Sequence, residues 1–317
     1  MKKLLLTRAF PQANIATAQA LFDVTVRNDT TGMRVTECTA ALREFDAVML
    51  TLGDQFTAEA FAGGDLRCEI LANFGVGFNH IDVTAAANAG IAVTNTPDVV
   101  TDATADIAMT LILAACRRAG EGERLVRAGL WEGWHPTQML GTHVTGKRLG
   151  IVGMGRIGQA VARRGHFGFE MPVIYFNRSP KDVDVPARRV DSLHALMSQS
   201  DIVVITVPGG GETNKLIDAA ALAQMQPSAV LVNVARGDVI DEPALIDALS
   251  EGRLAAAGLD VYAGEPFVPE ALRALENVVL LPHLGTAALE VREAMGQMAL
   301  DNIIAWAEGR PLLHPVM

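Results

Sequence analysis

The sequence is poor in cysteine and in positive charge. Its 317 residues include only three cysteines, Cys38, Cys68 and Cys116, and none of them forms a CxxC pair. An odd number of cysteines without such pairs is unlike a secreted disulfide scaffold, so we expect reduced, buried thiols and a cytoplasmic location. The 36 acidic residues outnumber the 26 basic ones. This balance argues against a nucleic-acid-binding surface, which needs clustered lysine and arginine.

Long hydrophobic runs are also missing. The apolar run near the start, Leu4 to Leu6, stops at Thr7 and is far shorter than the core of a signal peptide. The longest candidate, Ile107 to Cys116, contains Thr110 and precedes two arginines, whereas a membrane span needs about 18 uninterrupted apolar residues. We therefore expect no membrane segment. Half of the residues are hydrophobic and 20% are charged, which is typical of a folded globular protein.

Short apolar runs alternate with helical segments in the first third of the chain. In order they read LLLT, NIATAQALF, VTV, AVML, AEAF, EILAN, IDVTAAANAG and IAVTN. This alternation predicts parallel strands joined by helices. Pro97 ends the pattern, and residues 98–119 are predicted to form one long helix, buried between layers because its residues are small or apolar almost all round.

A second alternation begins after residue 146, with six strand candidates, LGIVG, VIYF, DIVVITV, AVLVNV, AAAGLDV and VVLLP. Six strands separated by helices predict a doubly wound sheet. The segment from Ala287 to Gly309 is again helical in pattern and too short for a third domain, so we expect it to return to the first one. The predicted limits are residues 1–99 with 285–317 for the first domain and residues 100–284 for the second.

The first strand of the second alternation leads into Gly153-Met154-Gly155-Arg156-Ile157-Gly158 and then a helix. In this setting Gly153 permits a tight turn, Gly155 lets the backbone approach a pyrophosphate, and Gly158 lets the helix pack closely on the strand. The pattern therefore predicts a dinucleotide site. A glycine-rich turn without a ligand is the alternative.

The next strand, VIYF, lacks the acid that often follows it in such folds. Asn177, Arg178 and Ser179 stand there, with Asn177 19 residues after Gly158. An acid at this place accepts hydrogen bonds from the ribose of NAD, whereas a cation with neutral polar neighbours suits the 2′-phosphate of NADP. We expect NADP to be preferred, with NAD possible. The alternative is a polar loop with Arg178 in solvent.

Ionisable groups follow three further strands, namely Arg236, Asp260 with Glu265, and His283. The carboxyl ends of parallel strands bind ligands in such sheets, so these groups can converge. Taken singly, each also has a structural explanation, as a solvated arginine, a turn residue or a surface histidine.

Six stretches, NFGVGFNHID, TNTPDVVTDATAD, LGIVGMGRIGQAVARR, NVARGDVIDEPALIDAL, AAGLDVYAGEP and NVVLLPHLGT, resemble the D-isomer-specific 2-hydroxyacid dehydrogenases over essentially the whole chain. Among them the chain is most similar to the glyoxylate/hydroxypyruvate reductases. The implied fold is α/β with two domains, a doubly wound Rossmann domain inserted in a smaller flavodoxin-like substrate domain. The implied activity is NADPH-dependent reduction of a small 2-keto acid.

The resemblance also implies residue roles. Arg236 matches the arginine that binds the substrate carboxylate and polarises the keto oxygen, His283 matches the acid/base, and Glu265 matches its carboxylate partner. A neighbouring carboxylate favours the protonated imidazole that reduction requires. The loop that begins at Asn73 matches the one whose backbone N–H groups hold the substrate carboxylate, although a structural turn also explains its glycines; its substrate-binding residues are Phe74, Gly75, Val76 and Gly77.

The matching cofactor contacts are Gly153, Gly155, Arg156, Ile157, Gly158, Asn177, Arg178, Ser179, Val207, Pro208, Val234, Ala235, Arg236, Asp260, His283, Leu284 and Gly285. No metal is expected. The resemblance implies a homodimer, in which Trp134 either reaches the partner's pocket or packs in the core or the interface. His80 stands where many relatives have asparagine, and the sequence suggests no role for it. A 2-ketogluconate reductase, another D-2-hydroxyacid dehydrogenase and a catalytically silent NADP sensor are the alternatives.

Overall fold

The structure, a computed structural model of the chain, describes residues 1–316. The chain folds into two compact units, residues 1–100 with the segment from Ala287 onward, and residues 101–286. The second unit is inserted in the chain of the first, and both are α/β, so the predicted fold class is confirmed. The assignment of substrate-binding and dinucleotide-binding domains, with the limits given above, stays a prediction.

Within the described residues, twelve strands form two parallel sheets. They are β1 (Lys3–Leu6), β2 (Asp23–Val26), β3 (Ala47–Thr51), β4 (Ile70–Phe74), β5 (Ala92–Thr94), β6 (Leu149–Val152), β7 (Val173–Phe176), β8 (Ala187–Arg189), β9 (Ile202–Ile205), β10 (Val230–Asn233), β11 (Ala256–Leu259) and β12 (Val278–Leu280).

Eleven α-helices accompany these strands in the same part of the chain. They are α1 (Gln12–Leu21), α2 (Val35–Glu44), α3 (Val83–Asn88), α4 (Thr101–Cys116), α5 (Ala119–Arg127), α6 (Arg156–Phe169), α7 (Leu193–Gln199), α8 (Ala219–Leu222), α9 (Glu242–Ser250), α10 (Glu270–Arg273) and α11 (Leu289–Ala307). None of the helices in residues 1–316 is long and apolar enough to cross a membrane.

The sheet of the first unit has the order β2-β1-β3-β4-β5, which is the flavodoxin-like order. Buried side chains cover both of its faces, and α11 packs on β3, β4 and α1 as the sequence predicted. The strands of a parallel sheet that is buried on both faces are continuous apolar runs, so these strands could be recognised in the sequence. Helix α2 was missed because its sequence, VTECTAALRE, places polar residues between its apolar ones and has no continuous apolar run.

The sheet of the second unit has the order β12-β11-β10-β9-β6-β7-β8. The chain builds outward from β6 in both directions, so its strand order reverses between β6 and β9, and ligands bind at the carboxyl ends of the strands near such a reversal. The sequence predicted six of these seven strands. The seventh, β8, is an edge strand with the sequence ARR, two of whose residues are exposed, so it carries no apolar signal.

The predicted helix over residues 98–119 is wrong in its limits and in its burial. Helix α4 covers only Thr101–Cys116, because Arg118 has a left-handed backbone conformation with φ 52° and α5 starts after it. The buried side of α4 packs on α6, β10, β11 and β12. Asp102, Asp106 and Thr110 are exposed, so α4 is amphipathic rather than buried all round.

Candidate active site

The turn after β6 is shaped by close contacts at two glycines. Gly153 has φ 97°, and a Cβ there would lie 2.8 Å from Val207 Cγ1. A Cβ at Gly158 would lie 2.2 Å from the Gly153 carbonyl oxygen, whereas in the described residues nothing lies within 4 Å of the corresponding position at Gly155. The turn thus leaves space at the start of α6, where the N–H groups of a first helical turn and the helix dipole favour a phosphate. These residues fit a dinucleotide.

The loop after β7 is tied to this turn by Asn177. Its Oδ1 accepts a hydrogen bond from the Met154 N–H at 3.1 Å, and its Nδ2 donates to the Ser179 carbonyl at 2.8 Å. Arg178 forms an ion pair with Glu212. Both of these side chains are 82% exposed, so the pair is free to open. Arg178 lies on an exposed loop at the carboxyl end of β7, and its contact with a cofactor phosphate stays a prediction.

Two residues at this loop were missed from the sequence. Arg189, the last residue of β8, donates to the Asn177 carbonyl from Nε at 3.2 Å and from Nη2 at 3.1 Å. It therefore places a second guanidinium against the loop. Glu212 is the other missed residue, and it lies in a glycine-rich loop after β9. Neither belongs to a recognisable motif.

Arg236 follows β10 and is held by a buried asparagine. Asn233 is only 1% exposed; its Nδ2 donates to the Arg236 carbonyl at 2.9 Å, and its Oδ1 accepts from the Ala235 N–H at 2.9 Å. Burial lowers the pKa of the Arg236 guanidinium, while the Glu265 and Asp238 carboxylates oppose that shift. An arginine stays protonated in proteins, so a fixed positive charge lies here.

His283 and Glu265 form a hydrogen-bonded pair at the ends of β12 and β11. His283 Nδ1 lies 2.9 Å from Glu265 Oε2, and about a third of each side chain is exposed, 32% and 30%. Glu265 Oε1 accepts the Tyr262 N–H at 3.0 Å. The pair leaves Nε2 as the ring nitrogen that can exchange a proton with a ligand.

The pKa of Glu265 reflects opposing effects. Burial acts to raise this pKa, but the hydrogen bond and charge of His283, the Tyr262 N–H and the charge of Arg236 together hold it below its usual value. Glu265 is therefore ionised throughout the neutral range. Arg236 and Glu265 act on each other's pKa, so their charges lie within electrostatic reach of each other, and Glu265 contacts His283 directly. Their catalytic roles stay a prediction.

Asp260 fixes the backbone beside His283. It is 1% exposed, and its oxygens accept the N–H groups of Leu284 at 2.6 Å and Gly285 at 2.8 Å. Burial raises the pKa of Asp260, and the two N–H groups and the charge of His283 partly oppose the rise. His283 itself has φ 55°, a conformation that costs free energy in a non-glycine residue and persists where the surroundings enforce it.

In the first unit, the loop after β4 has its carbonyl groups turned toward protein donors. Asn73 Nδ2 donates to the Gly75 oxygen at 2.9 Å and to the Gly77 oxygen at 3.0 Å. Asn95 Nδ2 donates to the Val76 oxygen at 2.9 Å. Across a planar trans peptide the N–H points opposite to the C=O, so the N–H groups of Val76 and Gly77 face away from these donors.

No protein acceptor pairs with the Val76 and Gly77 N–H groups anywhere in residues 1–316. Successive free N–H groups on a turn form a concave site for an anion such as a carboxylate. The loop therefore presents two N–H donors, unpaired in the described residues, that a purely structural turn does not need. The neighbouring Phe74 is the last residue of β4 and is partly buried.

The other predicted residues lie at strand ends or on the surface. Val207 and Pro208 follow β9, Val234 and Ala235 follow β10, and Arg156 and Ile157 begin α6. Trp134 is 80% exposed, which excludes a place in the core of this chain.

The three cysteines are free and buried. Burial raises the pKa of Cys38 to about 12 and that of Cys116 to about 11, so these thiols are unreactive.

A glycine-rich turn at a strand-order reversal, together with an Arg, Glu and His group at neighbouring strand ends, defines a dinucleotide-dependent enzyme class. The sequence profile described as D-isomer specific 2-hydroxyacid dehydrogenase, NAD binding domain, matches residues 109–285. The chain belongs to the D-isomer-specific 2-hydroxyacid dehydrogenase family and is an oxidoreductase. The resemblance found in the sequence is confirmed.

The curated relatives include a glyoxylate reductase of Thermococcus kodakarensis, 44% identical over 97% of this chain and 93% of the relative. A glycerate dehydrogenase of Hyphomicrobium methylovorum is 38% identical over 99% and 98%. Among solved structures, an NADPH-dependent glyoxylate/hydroxypyruvate reductase of Sinorhizobium meliloti, in complex with NADP and malonate, is 34% identical. Its TM-score is 0.89, with 99% of this chain and 96% of that chain covered.

Proposed function

We propose that this protein reduces glyoxylate and hydroxypyruvate to the corresponding 2-hydroxy acids with NADPH. The observation that carries the proposal is the contact of 2.9 Å between His283 Nδ1 and Glu265 Oε2 beside the charge of Arg236. A protein that only senses a dinucleotide has no need of a proton donor oriented in this way. The names of the relatives support small 2-keto acids as substrates.

Each group has a part in the proposed reaction. Arg236 binds the carboxylate and the keto oxygen of the substrate, since a fixed guanidinium stabilises negative charge that grows on that oxygen. The N–H groups of Val76 and Gly77 bind a carboxylate oxygen. A reduced nicotinamide cofactor, held by the glycine-rich turn after β6, would supply the hydride that C2 accepts. His283 delivers the proton from Nε2 to the oxygen, while ionised Glu265 holds the ring by its contact with Nδ1.

Phosphate selection is assigned to the loop after β7. Arg178 is the cation that would bind the 2′-phosphate, and Arg189 adds positive charge beside it. Asn177 carries no negative charge to repel the phosphate, and its contact with Met154 couples this loop to the glycine-rich turn. Glu212 competes with the phosphate for Arg178, so the ion pair must open when NADPH binds. NADH lacks the phosphate and leaves the pair in place.

A homodimer and a cytoplasmic location complete the proposal. The segment from residue 126 to residue 140 exposes Val126, Leu130, Trp131, Trp134 and Leu140, each more than half exposed. Large apolar side chains that are exposed close together along a chain favour an interface. The buried, free cysteines suit a reducing compartment. Light scattering at micromolar concentration would contradict the dimer by giving the mass of one chain.

The experiment that tests the function is a substrate panel with purified protein. Consumption of NADPH is followed by its absorbance with glyoxylate, hydroxypyruvate, pyruvate, oxaloacetate and 2-ketogluconate in turn. The first two should give the highest kcat/KM. A higher value for 2-ketogluconate would assign the protein to that substrate instead, and NADPH binding without turnover of any acid would indicate a sensor.

A further inference from the structure

His80 is linked to the loop after β4 by the buried side chain of Asn73. Asn73 is 0% exposed, and its Nδ2 donates to the Gly75 and Gly77 carbonyls at 2.9 and 3.0 Å. An amide nitrogen has two hydrogens, so both are used. The remaining atom, Oδ1, lies 3.1 Å from His80 Nε2. Because Oδ1 can only accept, His80 Nε2 must carry the hydrogen in this contact.

The direction of these hydrogen bonds makes the orientation of the Asn73 amide important. If the amide turned over, Oδ1 would face two carbonyl oxygens, and the nitrogen would face a ring nitrogen that carries a hydrogen. Buried polar groups without partners are costly, so His80 disfavours that orientation. The same amide holds the Gly75 carbonyl, and with it the peptide plane whose outward N–H group belongs to Val76. The Gly77 N–H lies on the peptide of the Val76 carbonyl, which Asn95 holds.

We propose that His80 is a positioning residue for the substrate carboxylate and acts through Asn73. The inference rests on the proposed function, because it concerns the loop to which carboxylate binding is assigned. His80 donates from Nε2 to Asn73 Oδ1, Asn73 donates to the Gly75 and Gly77 carbonyls, and the outward Val76 N–H is thereby held in place before substrate arrives. The histidine needs neither contact with the substrate nor transfer of a proton to it.

The variant His80→Phe keeps a ring of similar size and removes the donor. Loss of one hydrogen bond predicts a rise of about two- to tenfold in KM for glyoxylate and in the Kd of oxalate, a carboxylate probe that cannot be reduced. The kcat and the Kd of NADPH should change much less. His80→Gln, whose side-chain amide can donate again, should restore most of the affinity.

His166→Phe is the matched control, since His166 is another partly buried histidine, hydrogen-bonded through Nδ1 to the Met171 carbonyl at 3.3 Å in the second unit. It should leave KM for glyoxylate and oxalate binding unchanged. Asn73→Asp lacks both amide donors. In a double variant with Asn73→Asp, His80→Phe should raise KM for glyoxylate and the Kd of oxalate little further, because residues that act through one contact are not additive.

A readout independent of turnover is hydrogen exchange of the Asn73 side-chain amide, measured by NMR. The amide should exchange slowly in the wild type and faster in His80→Phe. Wild-type protein that reduces neither glyoxylate nor hydroxypyruvate overturns the proposed function and this inference with it. An active wild type with unchanged KM, oxalate affinity and amide exchange in His80→Phe overturns this inference alone.

Discussion

The two ends of the sheet in the second unit differ in how firmly their polar groups are held. At the firm end, formed by β10, β11 and β12, the charged groups are buried or half-buried, and each is bound by a neighbour, as Asp260 is by two N–H groups and Glu265 by His283. At the exposed end, beside β7, the ion pair of Arg178 and Glu212 is 82% exposed on both sides. The firm end is preorganised for chemistry, and the exposed end is free to rearrange around a ligand.

This difference predicts that substitutions at the firm end change turnover, whereas substitutions at the exposed end change the choice of cofactor. The largest effect is expected for His283→Ala. Removal of a general acid should lower kcat by about two to four orders of magnitude, while the Kd of NADPH, measured by fluorescence titration, stays close to that of the wild type. Near-normal turnover would remove His283 from the mechanism.

Arg236→Ala should lower kcat/KM strongly and raise KM as well. In the proposed reaction the guanidinium contacts the carboxylate before hydride transfer and the growing negative charge during it, so the variant should lose both ground-state and transition-state stabilisation. Steady-state kinetics with glyoxylate measure the effect. An unchanged KM would show that the carboxylate is bound by other groups.

Arg178→Ala tests the exposed end. One lost charge-assisted hydrogen bond, worth about 1.5 to 3 kcal/mol, should weaken NADPH about ten- to a hundredfold, and NADH should be little affected. Asn177→Asp should move the preference further toward NADH, since a carboxylate repels the 2′-phosphate and accepts hydrogen bonds from ribose hydroxyls. An equal loss of affinity for NADPH and NADH would mean that the loop contacts the adenosine, which both cofactors share, and does not select the 2′-phosphate.

Glu265→Gln should alter the pH dependence of reduction more than its maximum. The pKa of Glu265 is held below its usual value, so this carboxylate is ionised at neutral pH and gains a proton only as the pH falls below the usual range of a glutamate. Glutamine cannot make this change. The acid limb of the kcat profile that protonation of Glu265 causes should therefore be absent from the variant. A profile identical to that of the wild type would contradict the pairing.

The smallest effect is expected for Glu212→Gln. Exposed ion pairs contribute little, so removal of the competing carboxylate should tighten NADPH by only about two- to fivefold. NADH should be unaffected. The gain should vanish in a double variant with Arg178→Ala, because the two residues act through the same contact. Tighter binding of both cofactors would point to a general effect of charge.

The firm end could be predicted from the sequence, and most of the exposed end could not. Arg236, Glu265 and His283 follow strands that read as apolar runs, and parallel strands bring their carboxyl ends together. Arg189 and Glu212 belong to an edge strand and a surface loop without periodicity. Their proximity to Arg178 depends on tertiary packing alone.

Two asparagines carry a further signal in the sequence. NFGVG and NVARG each begin with an asparagine at the end of a predicted strand, and both Asn73 and Asn233 are buried and donate to the carbonyls of the loop that follows. A polar residue at the end of a buried apolar run must find partners, and the following loop is the nearest source. The asparagine at the end of the strand thus indicates a role for Asn73, and through it for His80, in positioning the loop after β4.

One titration that follows binding and turnover in the same sample tests the proposed reaction most directly. NADPH is first bound to the wild-type protein, with fluorescence reporting the complex, and glyoxylate is then added. We predict that NADPH is consumed in proportion to the glycolate formed, and that the His283→Ala protein forms the same complex but consumes NADPH at least about a hundredfold more slowly. A stable NADPH complex that is not consumed by glyoxylate or hydroxypyruvate would contradict the proposed reaction.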